Sequence, residues 1–342
     1  MWCLQLVAAV VAAESGRRHC TDGSELTSFL GFAASGSSLL GRDATFAHWR
    51  RFEGALRARG ATVDVEIGMC GSRRGLRAAR DAAAGEAVLV LPKRLVLDAA
   101  YADARDVSAL WRDRPLAPML KVALFLLHEV RARERAETAP YTMLLARDAR
   151  QGDDAPAFLW RREDLARFRC DAVEAACSTK RAWAQEAAAE PAAAGWAAAG
   201  LPGPPPTAEE VLWAVGTVAS RAVDWPGAGS SLAPLIDMTN HDAEPTARVH
   251  VGTAAVALVA VRAVKAGDEL TTTYSSSPLT LLSQYGVVDD GDADPGQAPT
   301  CLVDDDDDDG GVDAATGPRA RAARRFRAQQ RRLARATRAE LR

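Results

Sequence analysis

The sequence has no apolar run approaching the roughly 18 to 20 residues of a membrane span, which excludes an integral membrane protein. It has no Cys-x-x-Cys and no cluster of cysteine with histidine; the six cysteines (Cys3, Cys20, Cys70, Cys170, Cys177, Cys301) are scattered. A structural zinc site needs four soft ligands at short paired spacings, so no metal is expected. Cys170 and Cys177 lie two turns apart on one face of a helical stretch and read as two buried thiols, not as parts of a disulfide framework. Nor does one charge dominate. Forty-two basic residues stand against 45 acidic ones, a net charge of −3, which argues against a chain that coats nucleic acid. What remains is 48% hydrophobic and 25% charged, ordinary for a soluble globular protein. At 342 residues it can form one large domain or two small ones, each with a proper core.

The near-balance of charge hides a polarised C-terminus. Asp289 to Asp313 carries eleven acids and no base; Arg319 to Arg342 carries ten arginines and one acid. The six consecutive acids Asp304 to Asp309 read as a solvated, disordered stretch, without the alternation that a calcium loop needs. The arginine-rich end reads as a basic surface helix with Phe326 and Leu333 as its few large apolar residues. At the other terminus, residues 1–13 form an apolar run ending in Val-Ala-Ala before Glu14, and two readings fit. One is a targeting signal that lacks the usual positive start; the other is an alanine-rich helix.

Between these ends, residues 14–43 are rich in glycine and serine and read as a linker. A helix is predicted from near Asp43, since Ala47, Trp49, Phe52 and Leu56 recur at helical spacing. Val63, Val65 and Ile67 alternate as in a strand. Arg73 to Ala78 and Ala87 to Pro92 read as two strands joined through a glycine turn. Helices are predicted over 115–130, 163–190 and 207–222, with Ala192 to Pro206 as an exposed loop. Strands follow at 249–264 and 269–274, then a helix from Pro278 to Tyr285. Short strands with inserted helices make an α+β protein.

The most informative stretches are Pro234-Leu-Ile-Asp-Met-Thr-Asn-His241, then Ala266-Gly-Asp-Glu-Leu-Thr-Thr-Thr-Tyr274, then Leu281-Leu-Ser-Gln-Tyr-Gly286. Ahead of them, in the same order, come Arg74-Gly75-Leu76-Arg77-Ala78, Ala84-Gly85-Glu86, Pro140-Tyr141, and Trp213-Ala214-Val215 leading to Ser220-Arg221-Ala222. Together they resemble the SET-domain protein methyltransferases, in the branch of Rubisco large-subunit lysine methyltransferase, over residues 45–288. The resemblance implies short twisted β-sheets with a pseudoknot-like C-terminal threading. A helical insertion is expected near 100–215, with 1–44 and 289–342 as flanking segments. It also implies a protein-lysine N-methyltransferase that uses S-adenosyl-L-methionine on a non-histone protein. A protein-histidine methyltransferase and a non-catalytic SET-like binding module are the alternatives.

Residue by residue, the resemblance places Tyr274 as the catalytic tyrosine. Arg74, Gly75, Leu76, Arg221, Asn240, His241 and Tyr285 are placed at the cofactor, and Ser220, Arg221 and Asp237 at the acceptor lysine. The chemistry suits these types. Methyl transfer from a sulfonium donor needs in-line positioning and a neutral nucleophile more than acid–base help. The Asn240 amide and the Arg221 fork match the zwitterionic methionine end of the cofactor. A tyrosine with an ordinary pKa near 10 is a poor base, so desolvation of the acceptor lysine is the better source of a neutral amine. The family pattern is departed from at Val287, where an aromatic is usual, and at Ser275-Ser276-Ser277, where glycine and asparagine are usual. Ser277 stands where actin-histidine methylating relatives carry arginine, which favours lysine. A protein substrate, a monomer and no nucleic acid are expected; the compartment stays open.

Overall fold

The computed structural model describes Cys20, residues 40–71, 73–113, 115–132, Thr138, Tyr141, Thr142, Leu145, residues 155–289, Cys301 and residues 317–340. The N-terminal apolar run and the Asp304–Asp309 run lie outside the described residues. No described helix is long and apolar enough to cross a membrane. The chain divides into two compact units interleaved in sequence. The first comprises the described residues up to Leu97, Val223–Gly227 and Ser231–Thr273; the second comprises Asp98–Ala222, Ala228–Ser230 and the residues from Tyr274 onward.

The first unit opens with helix α1 (Leu40–Ala58), three residues earlier than the spacing predicts. Its buried stripe of Trp49, Phe52 and Leu56 is the one read from the sequence, with the two rings packed edge to face at 5.7 Å. Eight strands build its two larger sheets: β1 (Thr62–Val63), β2 (Val65–Cys70), β3 (Arg73–Ala78), β4 (Ala87–Pro92), β5 (Asn240–His241), β6 (Ala247–Val251), β7 (Ala255–Ala260) and β8 (Glu269–Thr272). They form two four-stranded sheets, ordered β1-β4-β7-β6 and β2-β3-β8-β5. In β7 buried and half-buried residues alternate, as a strand with one face in the core requires. β3 and β4 are the two strands read from the sequence, with Gly85 at φ 85° between them, but they lie in different sheets. β3 pairs with β2 and β8, while β4 pairs with β1 and β7 in the other sheet. The single alternation from Val63 to Ile67 is likewise split between the sheets. Every pairing is antiparallel except β5 beside β8, where Asn240 faces Thr271 and His241 faces Thr272.

The second unit is mainly helical. Helix α2 (Pro118–Ala132) buries Leu120 and the run Val122 to Leu127. The long helix predicted from 163 is two: a short Arg162–Ala166 turn, then α3 (Asp171–Gly195), with Arg169 in the left-handed region between them. The stretch read as an exposed loop after 192 is partly core: Trp196 is fully buried and its indole donates to the Pro202 carbonyl at 3.1 Å. Helix α4 (Ala208–Arg221) starts at a capping box. The Thr207 hydroxyl accepts from Glu210 N–H, and the Glu210 carboxylate accepts from Thr207 N–H.

Two corrections concern cysteine and the tail. Cys170 is not a thiol: it is bonded to Cys301, and Cys20 to Cys70, leaving Cys177 as the buried thiol among the described cysteines. Spacing could not show this, because the pairs are 131 and 50 residues apart in sequence. The arginine-rich end is not simply a surface helix either. Helix α5 (Pro318–Glu340) buries Ala320, Ala323, Phe326 and Leu333. Phe326 meets the Phe168 ring at 5.6 Å, in a cluster that also holds Trp160, the Cys170–Cys301 bridge and Leu282.

Candidate functional site

The candidate residues fall in both units. In the first, Leu235 precedes the signature with φ of 71° and ψ of −45°, close to a γ-turn, although it is a fully buried leucine. Such a backbone costs of the order of 1–3 kcal/mol and persists only where packing overdetermines it. It turns the chain into a 3₁₀ turn at Ile236–Met238, which carries the buried Asp237 and packs against β3. The Thr239 hydroxyl then donates to the Ile236 carbonyl at 2.9 Å and lies 3.1 Å from the Thr272 hydroxyl, so β5 leaves the turn already joined to β8.

Asn240 lies against the Arg74-Gly75 backbone. Its Nδ2 donates to the Arg74 carbonyl at 3.1 Å and to Glu269 Oε1 at 2.8 Å. A primary amide has two N–H groups, and both are used here; the group that Asn240 can offer a ligand is its carbonyl oxygen. Gly75 has to be glycine. A Cβ there would stand 2.7 Å from Cys70 Sγ, 2.8 Å from Asn240 Nδ2 and 3.0 Å from Glu269 Oε1. Arg74, Gly75, Leu76 and Asn240 are thus brought together, with His241 next along β5. Glu269, only 3% exposed, was missed in the sequence, where it showed merely as the first residue of a strand. Cys20, Cys70 and Glu269 have ligand atoms within 4.8 Å of one another, but the two sulfurs are bonded to each other.

In the second unit, Tyr274 and Tyr285 stack with ring centroids 4.8 Å apart at 35°. Tyr285 closes a single π-helical turn, Leu281–Tyr285, reached through a short helix Pro278–Thr280 in which the Ser277 hydroxyl accepts from the Thr280 N–H. Gly286 ends the turn in the left-handed region at φ 68°, and a Cβ on it would be 2.3 Å from the Ala155 carbonyl oxygen. That carbonyl also accepts from the Trp160 indole at 2.8 Å. So the carbonyl that Trp160 holds leaves no room for a side chain directly after Tyr285. Ser220 and Arg221 occupy the last turn of α4, where the Ser220 hydroxyl donates to the Thr217 carbonyl at 3.3 Å. Sequence reasoning also missed Gln284, whose amide reaches both α4 and Tyr285.

The sequence signature of the SET domain matches residues 73–275, well over half of the chain, and the chain belongs to that family. Its fold is a SET fold. It superposes on the SET domain of LSMT bound to lysine and AdoHcy with a TM-score of 0.60 at 22% identity, covering 75% of this chain and 59% of that one. For the SET domain of LSMT bound to MeLysine and AdoHcy, the TM-score is 0.58 at 21% identity, covering 72% and 57%. For Rubisco LSMT bound to AdoMet it is 0.59 at 22%, covering 71% and 56%. The chain thus spans less than two thirds of the length of these solved chains. Among curated proteins, no sequence matches it.

Proposed function

We propose that the chain is a protein-lysine N-methyltransferase that takes its methyl group from S-adenosyl-L-methionine and acts on a non-histone protein. The observation that carries this reading is Asn240 lodged against Gly75, both N–H groups spent and a carbonyl oxygen left to accept from an ammonium group. An amino-acid end fits there: an amide acceptor, the backbone of Arg74 to Leu76, and a missing side chain at Gly75 where one would collide. Structural neighbours bound to AdoMet, AdoHcy, lysine and methyllysine support the same cofactor and acceptor.

On this reading Arg74, Gly75, Leu76, Asn240 and His241 hold the cofactor, with Arg221 and Tyr285. The cofactor supplies an activated methyl on sulfur. Ser220, Arg221 and Asp237 present backbone carbonyls to the lysine nitrogen, and desolvation keeps that nitrogen neutral. Tyr274 orients the acceptor through its hydroxyl, its ring packed at a tilt against Tyr285. The test is incubation with labelled S-adenosylmethionine and a cell extract, then mass spectrometry of the labelled proteins. Trimethyl-, dimethyl- or monomethyllysine is expected; label on histidine alone, or none, would overturn the reading.

A further inference from the structure

Gln284 joins three elements of the second unit through one side chain. Its Nε2 donates to the Ala219 carbonyl at 2.9 Å and to the Tyr285 hydroxyl oxygen at 3.3 Å. Its Oε1 accepts from Lys180 Nζ on α3 at 3.4 Å, and the same amine donates to the Ser283 hydroxyl at 3.3 Å. The Ala219 carbonyl belongs to the last turn of α4, where the helix supplies no N–H partner of its own. A donor is required at that end of the amide. Lys180 has only donors, so it requires an acceptor at the other. An amide whose two ends are nearly the same shape is thereby given one orientation.

We propose that Gln284 is a positioning residue for the acceptor side of the methyl-transfer site, with Lys180 fixing the direction in which its amide faces. The proposal rests on the methyltransferase reading above. Gln284 caps the turn that carries Ser220 and Arg221, and it holds the hydroxyl of the tyrosine on which Tyr274 stacks. One amide thus sets the acceptor-binding turn and the catalytic ring pair against each other. A π-turn is a costly way to arrange five residues, and such turns recur where a side chain must be aimed. Here it aims two neighbours at once, Gln284 toward α4 and Tyr285 toward Tyr274.

Gln284→Glu keeps the shape and the Lys180 partner but sets a carboxylate oxygen against the Ala219 carbonyl. Single-turnover transfer from radiolabelled S-adenosylmethionine to a dialysed cell extract should fall about tenfold or more, with cofactor affinity by calorimetry changed less than about threefold. A merely structural glutamine would lower the melting temperature without this split between transfer rate and cofactor affinity. Lys180→Met should lose part of the rate, and Lys180→Arg, which restores a donor, should recover it. These two variants decide the matter if Gln284→Glu does not fold. An active wild type with unchanged rate in Gln284→Glu, or in Lys180→Met, overturns the positioning role alone. A wild type that neither binds cofactor nor transfers methyl overturns this proposal together with the reading beneath it.

Discussion

Glu269 accepts a hydrogen bond from Asn240 at 2.8 Å, and the two residues stand on β8 and β5, neighbours in parallel. A buried acid therefore decides which face of the Asn240 amide is left for a ligand. Asn240→Ala should weaken S-adenosylmethionine binding by roughly 1–3 kcal/mol, the scale of a hydrogen bond to a charged group. Calorimetry on the folded variant checks this, and unchanged affinity removes Asn240 from the cofactor site.

Tyr274→Phe keeps the ring and its 4.8 Å stack on Tyr285 while deleting the hydroxyl. We expect normal cofactor binding and an unshifted melting curve, with single-turnover methyl transfer reduced at least about a hundredfold. A wild-type rate would leave Tyr274 as a packing residue.

Phe326 is 1% exposed and sits against Phe168 in the cluster that includes Leu282 of the π-turn. Phe326→Ala should cost about 3–5 kcal/mol, the range for deleting a buried aromatic. Denaturant unfolding measures it. A loss below about 1 kcal/mol would show that the arginine-rich helix is dispensable to the core.

Much of this molecule was legible before its structure. Although the single strand read over 249–264 is two, β6 and β7, the buried stripe of α1 and the start of α4 at Thr207 are local patterns, and local patterns survive in a linear text. So did the order of Asn240, Tyr274 and Tyr285, because each sits in a short run whose chemistry is unusual as a set. What was hidden depends on distant pairing. That β3 and β4 belong to different sheets was not legible, because a glycine turn between two strands looks the same whether they pair or part. Cys301 finds Cys170 across 131 residues, which no spacing encodes. Helix α5 looked soluble because half of its inner stripe is alanine, with only Phe326 and Leu333 large. Gln284 was unremarkable as a letter; its importance comes from Ala219 and Lys180 lying within reach.

Glu129 supplies a pH test. Burial pushes its carboxyl up, but hydrogen bonds from His128 at 3.2 Å and from Thr138, with the nearby charges, outweigh this and hold it below its ordinary value. A carboxyl whose pKa is depressed in the folded state contributes stability above its unfolded pKa and loses it as pH falls through the folded one. Glu129→Gln should therefore lower the melting temperature at about pH 7, and the gap should narrow by about pH 3. A gap that stays constant across this window would show that the carboxylate's charge is immaterial.

The Cys177 thiol is pushed up to about 11 by burial, against the opposing influence of Lys180 and Arg181. At pH 8 only about one molecule in a thousand would carry the thiolate. Iodoacetamide should leave Cys177 unlabelled in the native protein and label it fully in denaturant without reductant, as read by peptide mass spectrometry. Rapid native labelling would contradict its burial.

The Cys170–Cys301 bridge bears on how the chain is made. Cys170 leaves the ribosome on the order of ten seconds before its partner, at ordinary rates of synthesis. During that interval Ser220, Arg221, Tyr274 and Tyr285 emerge in turn, and only α5 is still to come when Cys301 appears. The Cys20–Cys70 pair, only 50 residues apart, is complete before Cys170 emerges. The two earliest described thiols can therefore meet before the chain offers a third. Cys177 is then the described thiol that Cys170 must pass over to reach Cys301, and α5 completes the unit last.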